Sequence, residues 1–225
     1  MFADRREAGR LLAERLTVSA TTKPVVVALP RGGVPVGFEV ARALAAPLDV
    51  LVVRKLGAPG NPELGVGAIA EGGSSVLDPA MARRVGMNQQ ALDATVEREM
   101  RELNRRVERY RGGRPPVDVG DATAIVVDDG LATGLTALAA VRALRARAAE
   151  RIVVAVPVGA RESVAAVAAE ADEVVCHTIP GQLLAVGYWY LDFTPVGDEE
   201  VLAMLARADR RDFDPEGDDG GPREP

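Results

Sequence analysis

Cysteine and histidine are nearly missing from this chain of 225 residues, which holds one of each, Cys176 and His177. A single cysteine excludes an internal disulfide and leaves no cysteine cluster for structural zinc. A single histidine excludes metal sites built on paired histidines. Cys176 reads as core and His177 as a strand-end histidine. Aromatic residues are few: four Phe, three Tyr and one Trp. Lysine is rarer still, since only Lys23 and Lys55 stand among the 27 basic residues, so each surviving lysine draws attention. No run of about 18 apolar residues occurs, hence no segment reads as a membrane span. Met1–Arg15 is charged throughout and does not read as a secretion signal, so the expected location is cytoplasmic. Net basic charge is lacking too. The formal charge is −6, and residues 209–225, with seven acids against three arginines, carry −4 of it. The body is therefore nearly neutral, which offers no footprint for nucleic acid. Residues 209–225 read as a disordered acidic tail.

What is present is a core. Hydrophobic residues make up 48% of the chain and charged residues 27%, the balance of a globular protein. The length fits one domain with an extra element, over residues 1–208. Phe2–Leu16 reads as an amphipathic helix. Val25–Leu29, Val50–Val53, Val66–Ala70, Ala124–Val127, Ile152–Val156 and Val174–Cys176 are apolar runs of buried-strand type. Ser74–Leu77 would pair with Val66–Ala70 as a short hairpin. Helical patterns fill Val34–Leu44, residues 135–149 and Arg161–Glu170. Such alternation predicts an α/β fold, a doubly wound, mainly parallel sheet. Between Val53 and Val66 the Gly- and Pro-rich stretch Arg54–Pro62 reads as a mobile loop. Asn88–Arg111 is an inserted long helix, with Leu92, Val96, Met100, Leu103, Val107 and Tyr110 on one stripe. That stripe faces either the core or a second copy. Thr178–Glu200 holds Tyr188, Trp189, Tyr190 and Phe193, half of all the aromatics, and Asp198 reads as the N-cap of a helix over Glu199–Ala206.

In a sheet of this kind, ligands sit beyond the carboxyl ends of the strands. The run Ala124–Val127 delivers Asp128 and Asp129 there, and Ala132-Thr133-Gly134-Leu135-Thr136 then opens a helix. Free backbone N–H groups, two hydroxyls and the positive helix end suit a phosphate monoester. Carboxylates repel phosphate, so Asp128 and Asp129 must serve another part of the same ligand. Vicinal hydroxyls fit, because an ionised carboxylate only accepts hydrogen bonds. A phosphorylated sugar satisfies both halves. The alternative is an acid pair that caps a helix or binds a bare metal ion.

Ala124–Thr136 resembles the phosphoribosyl-diphosphate signature of type I phosphoribosyltransferases. Phe2-Ala3-Asp4-Arg5, Ala8-Gly9 and Pro30-Arg31-Gly32-Gly33-Val34 resemble a poorly characterised bacterial branch of that family. The resemblance covers about residues 1–207 and implies a C-terminal hood at residues 178–200. It further implies a pentosyltransferase that uses magnesium and releases diphosphate on transfer to a nitrogenous acceptor, working as a homodimer. Asp128 and Asp129 would hold the ribose hydroxyls, and Ala132, Thr133, Gly134, Leu135 and Thr136 the 5-phosphate. Arg31, Gly32 and Gly33 would receive the diphosphate, the loop often containing a non-proline cis peptide. Arg54 and Lys55 would head the flexible catalytic loop. Magnesium would be held through substrate oxygens and water near the acid pair. Tyr188, Trp189, Tyr190 and Phe193 would stack on a base, or else close the sheet edge as a small core. In 6-oxopurine members an aspartate matches Ala132, so alanine speaks against hypoxanthine and guanine. The alternative reading is a sensor that binds phosphoribosyl diphosphate without turnover. A dehalogenase-like hydrolase needs Asp-x-Asp at the strand end, where Asp128-Asp129-Gly130 has the wrong spacing. Gly-x-x-x-x-Gly-Lys-Ser/Thr and Gly-x-Ser-x-Gly are absent, which removes support for P-loop and esterase chemistry.

Overall fold

The computed structural model describes residues 1–16, 23–58 and 60–210. In chain order the elements are α1 (Arg5–Ala13), β1 (Pro24–Ala28), α2 (Gly33–Leu44), β2 (Leu48–Val50), β3 (Val53–Ala58), β4 (Asn61–Ala70) and β5 (Ser75–Leu77). Next come α3 (Pro79–Arg84), α4 (Gln89–Arg111), β6 (Thr123–Val127), α5 (Leu135–Ala146), β7 (Arg151–Val158), α6 (Arg161–Ala168), β8 (Glu173–Thr178) and α7 (Asp198–Asp209). A five-stranded parallel sheet runs in the order β2-β1-β6-β7-β8. Its strands are continuous apolar runs because both faces are covered. Val26, Ala28, Ile125 and Val127 face one core, shared with Leu12 of α1, α2, Leu103 and Tyr110 of α4, and Met204 of α7. Their neighbours Val25, Val27, Ala124 and Val126 face the other, shared with α5 and with Val167 of α6. The doubly wound α/β architecture is therefore as the alternating runs predict.

The stripe on α4 packs inward. Leu103 and Tyr110 are buried, and Leu92, Val96, Met100 and Val107 lie against the same core. Asn88 caps the helix by accepting the Ala91 N–H at 2.9 Å. Gly112, with φ of 56°, ends it in the left-handed region where glycine is favoured. At its last turn the buried Arg111 donates to the Val50 carbonyl at 2.6 Å and pairs with Asp49 and Glu71. Both acids look like plain surface charge in the sequence.

Four local expectations need correction. Arg54–Pro62 is not a loop: Val53–Ala58 and Asn61–Ala70 form an antiparallel pair, with Arg54 opposite Ile69 and Lys55 opposite Ala68. Gly57 sits where the register of the pair shifts, and Gly67 of β4 admits the close approach of β5. A Cβ on Gly67 would meet the Val76 carbonyl oxygen at 2.4 Å, and Leu56, Ala58 and Val66 are buried. The apolar run Val50–Val53 is not one strand, because β2 ends at Val50 and β3 begins at Val53, in the second sheet. The helix α3 is additional, started by Asp78, whose side chain accepts the Ala80 and Met81 N–H groups, with Pro79 in the first turn. Asp198 is not an N-cap: Gly197 holds that position, and Asp198 accepts the Tyr110 hydroxyl at 2.7 Å. Residues 211–225, where most of the expected acidic tail falls, lie outside the described residues.

Because Leu103 is 1% exposed at the middle of the α4 seam, Leu103→Ala should cost about 2–5 kcal/mol by cavity formation. Urea unfolding of the full chain checks this. A loss below about 1 kcal/mol would show that α4 is not anchored as described.

Candidate active site

The strand β6 is buried along its whole length, so polar side chains can follow only at its carboxyl edge. Asp128 and Asp129 are the first two. Asp128 accepts the Asp129 N–H at 2.8 Å. Loss of water, then the neighbouring charge of Asp129, pushes the Asp128 carboxyl well above the ordinary carboxylate range. Loss of water raises Asp129 as well, opposed by the charges of Arg5 and Lys55.

The chain then turns through residues 130–134 into α5, and the turn is held firmly. Leu131 donates its N–H to the Val158 carbonyl at 2.8 Å, and its own carbonyl accepts the Ala160 N–H at 2.9 Å. Ser163 Oγ donates to the Ala132 carbonyl at 2.6 Å. Gly134 has φ of 78°, and no side chain caps α5. Its first N–H groups are thus left for a ligand.

A second loop, residues 30–33, crosses the end of β6 at very close range. A Cβ on Gly32 would lie 2.0 Å from Asp129 Oδ2, and one on Gly33 would lie 2.6 Å from the Val127 carbonyl oxygen. Glycine is needed at both positions for that approach. The Pro30–Arg31 peptide is cis. The Arg31 side chain turns away from the acid pair, towards Asp198 at 3.6 Å, and is 41% exposed.

Cations reach the site from β3 and α4. Arg54 donates twice to Glu99 Oε2, at 3.0 and 2.7 Å, while Arg98 donates to Oε1 of the same carboxylate at 3.1 Å. Glu99 is buried. Lys55 is exposed, and its charge acts on both Asp128 and Asp129. From the hood, Phe193 stacks on Tyr190 with ring centroids 5.1 Å apart. Tyr190 is buried, and its hydroxyl donates to the Asp129 carbonyl at 2.6 Å.

These parts surround one cavity of about 510 Å³. It brings together Arg54, Lys55, Asp128, Asp129, Ala132, Thr133, Gly134, Thr136 and Phe193 from the sequence prediction, with Arg98, Glu99 and Arg106 of α4 added. Among the described residues no group of three or more acids, histidines or cysteines could hold a metal ion. The model of the phosphoribosyl transferase domain family matches residues 4–190. This chain belongs to that family. It is 50% identical over 213 residues to a Mycobacterium tuberculosis H37Rv protein named "Putative phosphoribosyl transferase Rv0571c", covering 95% of this chain and 48% of that one. The chain thus spans about half the length of the curated relatives it matches. The crystal structure of TT1426 from Thermus thermophilus is 47% identical, with a TM-score of 0.75, covering 91% of this chain and 97% of that one.

Within this phosphoribosyl transferase domain, seven of the expected residues stand outside the cavity lining, among them the loop glycines Gly32 and Gly33 described above. Arg31 is drawn away by Asp198. Leu135, the first residue of α5, packs its side chain on the core, leaving only its backbone for a ligand. Tyr190 spends its hydroxyl on Asp129, Trp189 packs on the Phe2–Ala8–Tyr190 cluster, and Tyr188 is 70% exposed to solvent. Of the four hood aromatics only Phe193 faces the cavity, joined there by Val186. The small-core alternative therefore describes Trp189 and Tyr190. His177 lies edge-on to Phe2 at 5.4 Å, and burial lifts the Cys176 thiol to about 11.

Sequence reasoning missed Arg5, Arg98, Glu99 and Arg106. On α4 they look like members of a solvated face, and Arg5 like one charge among many in an amphipathic helix. The only available signal was the Asp4-Arg5 pair within the resemblance. The two loop glycines should separate binding from stability. Gly33→Ala drives a Cβ into backbone and should cost about 1–3 kcal/mol in urea unfolding. Gly32→Ala meets the end of the Asp129 side chain rather than backbone, so it should lose less stability than Gly33→Ala. By displacing that carboxylate it should nevertheless abolish calorimetric binding of phosphoribosyl diphosphate. Equal binding by Gly32→Ala and the parent would contradict the role of that close approach.

Proposed function

We propose that this chain is a magnesium-dependent pentosyltransferase, moving 5-phosphoribose from phosphoribosyl diphosphate to a nitrogenous acceptor, a nucleobase in the first instance. The observation that carries the reading is the single cavity shared by Asp128, Asp129 and the loop at residues 132–136. The acid pair accepts the ribose 2- and 3-hydroxyls. The N–H groups at the start of α5 and the hydroxyls of Thr133 and Thr136 hold the 5-phosphate, fixing the sugar between two anchors. The acceptor nitrogen bonds to the anomeric carbon as the bond to diphosphate breaks, and the electron pair leaves on the diphosphate oxygen. The acceptor's displaced proton passes to solvent or to the departing anion.

Charge develops on the leaving group, so catalysis is chiefly electrostatic. Lys55 at the cavity edge and Arg54 beside it supply positive charge there, and the backbone of residues 31 and 32 offers further N–H groups. Phe193 and Val186 flank the acceptor and exclude water. The residues fit magnesium in one mode only. Two adjacent carboxylates without a third suit an ion that keeps waters and takes most ligands from substrate oxygens. When bound, that ion supplies neutralising charge to the diphosphate. Ala132 has no acid to exchange a proton with a 6-oxopurine, which leaves other bases ahead of hypoxanthine and guanine. The proposal extends to a homodimer working in the cytoplasm on small molecules, without nucleic acid; among the described residues no helix is long and apolar enough to cross a membrane.

A sensor that binds phosphoribosyl diphosphate without turnover is the second reading. It is favoured by the commitment of Arg54 to Glu99 rather than to open cavity. A panel of nitrogenous bases, assayed with phosphoribosyl diphosphate and magnesium for released diphosphate, separates the two. Release is expected with at least one base, lost on chelation of magnesium and lowered roughly 100-fold or more in Asp129→Asn. Tight binding with no release across the panel would favour the sensor, and no binding would contradict both.

A further inference from the structure

We propose that Arg5 is a positioning residue for the ribose-binding acid pair: from the first helix it holds the Asp129 carboxylate in place at the cavity edge without lining the cavity itself. This rests on the functional reading above. The Arg5 side chain is 10% exposed, and its guanidinium makes three distinct contacts. Nε donates to Asp129 Oδ2 at 2.9 Å, and Nη1 donates to the Thr194 carbonyl at 2.9 Å. The guanidinium carbon sits 3.9 Å from the centroid of the Phe193 ring, within the range of cation–π attraction. Lysine, a point charge on a flexible stem, cannot reproduce that fork and plane together.

The Asp129 carboxylate is closed in from its other neighbours as well. Gly32 presses on the same Oδ2, where a Cβ would come within 2.0 Å. The Tyr190 hydroxyl fixes the Asp129 carbonyl at 2.6 Å. With Oδ2 engaged by Arg5, Oδ1 is the oxygen presented to a ribose hydroxyl. Arg5 also brings positive charge to a place where two acids stand side by side, a task it shares with Lys55.

The position of Arg5 is itself built. Phe2 donates its N–H to the Trp189 carbonyl at 2.8 Å, and the Leu191 and Asp192 N–H groups donate to the Phe2 and Ala3 carbonyls, each at 2.9 Å. Asp4 caps α1 by accepting the Glu7 N–H at 2.7 Å. One residue later, Arg5 is delivered to the seam between the hood and the end of β6. The N-terminal segment thus fixes the acid pair and the Phe193 wall through one side chain.

The test is calorimetric titration of the full chain with phosphoribosyl diphosphate and magnesium, and separately with inorganic diphosphate. Arg5→Gln should weaken phosphoribosyl diphosphate about tenfold or more, as expected for losing a charged hydrogen bond. It should change inorganic diphosphate less than about twofold, because that ligand has no ribose for Asp129 to hold. On an Asp129→Asn background the same change should add less than about twofold, since Arg5 acts through Asp129. Arg5→Lys should recover part of the loss, and it replaces Arg5→Gln in every comparison if the latter does not fold. Parent-like binding by Arg5→Gln, equal weakening of both ligands, or multiplying effects of Arg5→Gln and Asp129→Asn would overturn the assignment. A parent that binds no phosphoribosyl diphosphate contradicts the functional reading, and the role of Arg5 falls with it. A parent that binds while Arg5→Gln binds equally contradicts Arg5 alone.

Discussion

Two carboxylates side by side at the end of a buried strand repel each other and lose hydration, and every other feature of the site answers that constraint. The strand β6 cannot avoid delivering them there, because its five residues are buried on both faces of the sheet. Positive charge arrives from two directions to offset the pair, Arg5 from the first helix and Lys55 from the second sheet. Close-packed glycines at positions 32 and 33 leave the carboxylate of Asp129 one place to stand. The turn at residues 130–134 follows at once, tied to β7 and to Ser163 rather than to the acids. The acid pair and the turn that opens α5 are therefore adjacent in sequence but held by separate networks.

The long helix α4 belongs to the site as much as to the core. Its apolar stripe lies on the sheet, and the same helix turns Arg98, Glu99 and Arg106 towards the cavity. Glu99 is the pivot, sharing its two oxygens between Arg54 and Arg98. A partly buried ion pair of this kind costs desolvation that the Coulomb attraction offsets only with good geometry. Its value here is the fixed direction of the Arg54 guanidinium. In the same way the N-terminal segment, the hood and the end of β6 meet at Arg5, so segments far apart in sequence share one electrostatic task.

How much of this could be read from the sequence follows from the range of the forces involved. Strands buried on both faces announce themselves as apolar runs, so the parallel sheet was legible, as was α4 from its stripe. The acid pair and the turn at residues 132–136 were legible because both halves of that chemistry sit within one strand–turn–helix unit. The hairpin of β3 and β4 was not, since Gly57 and Gly60 look like breakers, whereas Gly57 lies at a register shift within the pair and Gly60 has the positive φ of a turn. Arg5 and Glu99 were hidden for a related reason: their partners lie 124 and 45 residues away. Aromatic density singled out Thr178–Glu200 but not which ring faces the cavity. That choice is made by Tyr190 bonding to the Asp129 backbone and by Trp189 packing on Phe2.

The central claim is that one ligand spans both halves of the cavity. A crystal structure of the full chain soaked with phosphoribosyl diphosphate and magnesium tests it most directly. The account predicts the ribose hydroxyls against Asp128 and Asp129 and the 5-phosphate against the N–H groups of residues 132–136. Density for the ligand in another hollow, with the acid pair unengaged, would contradict it.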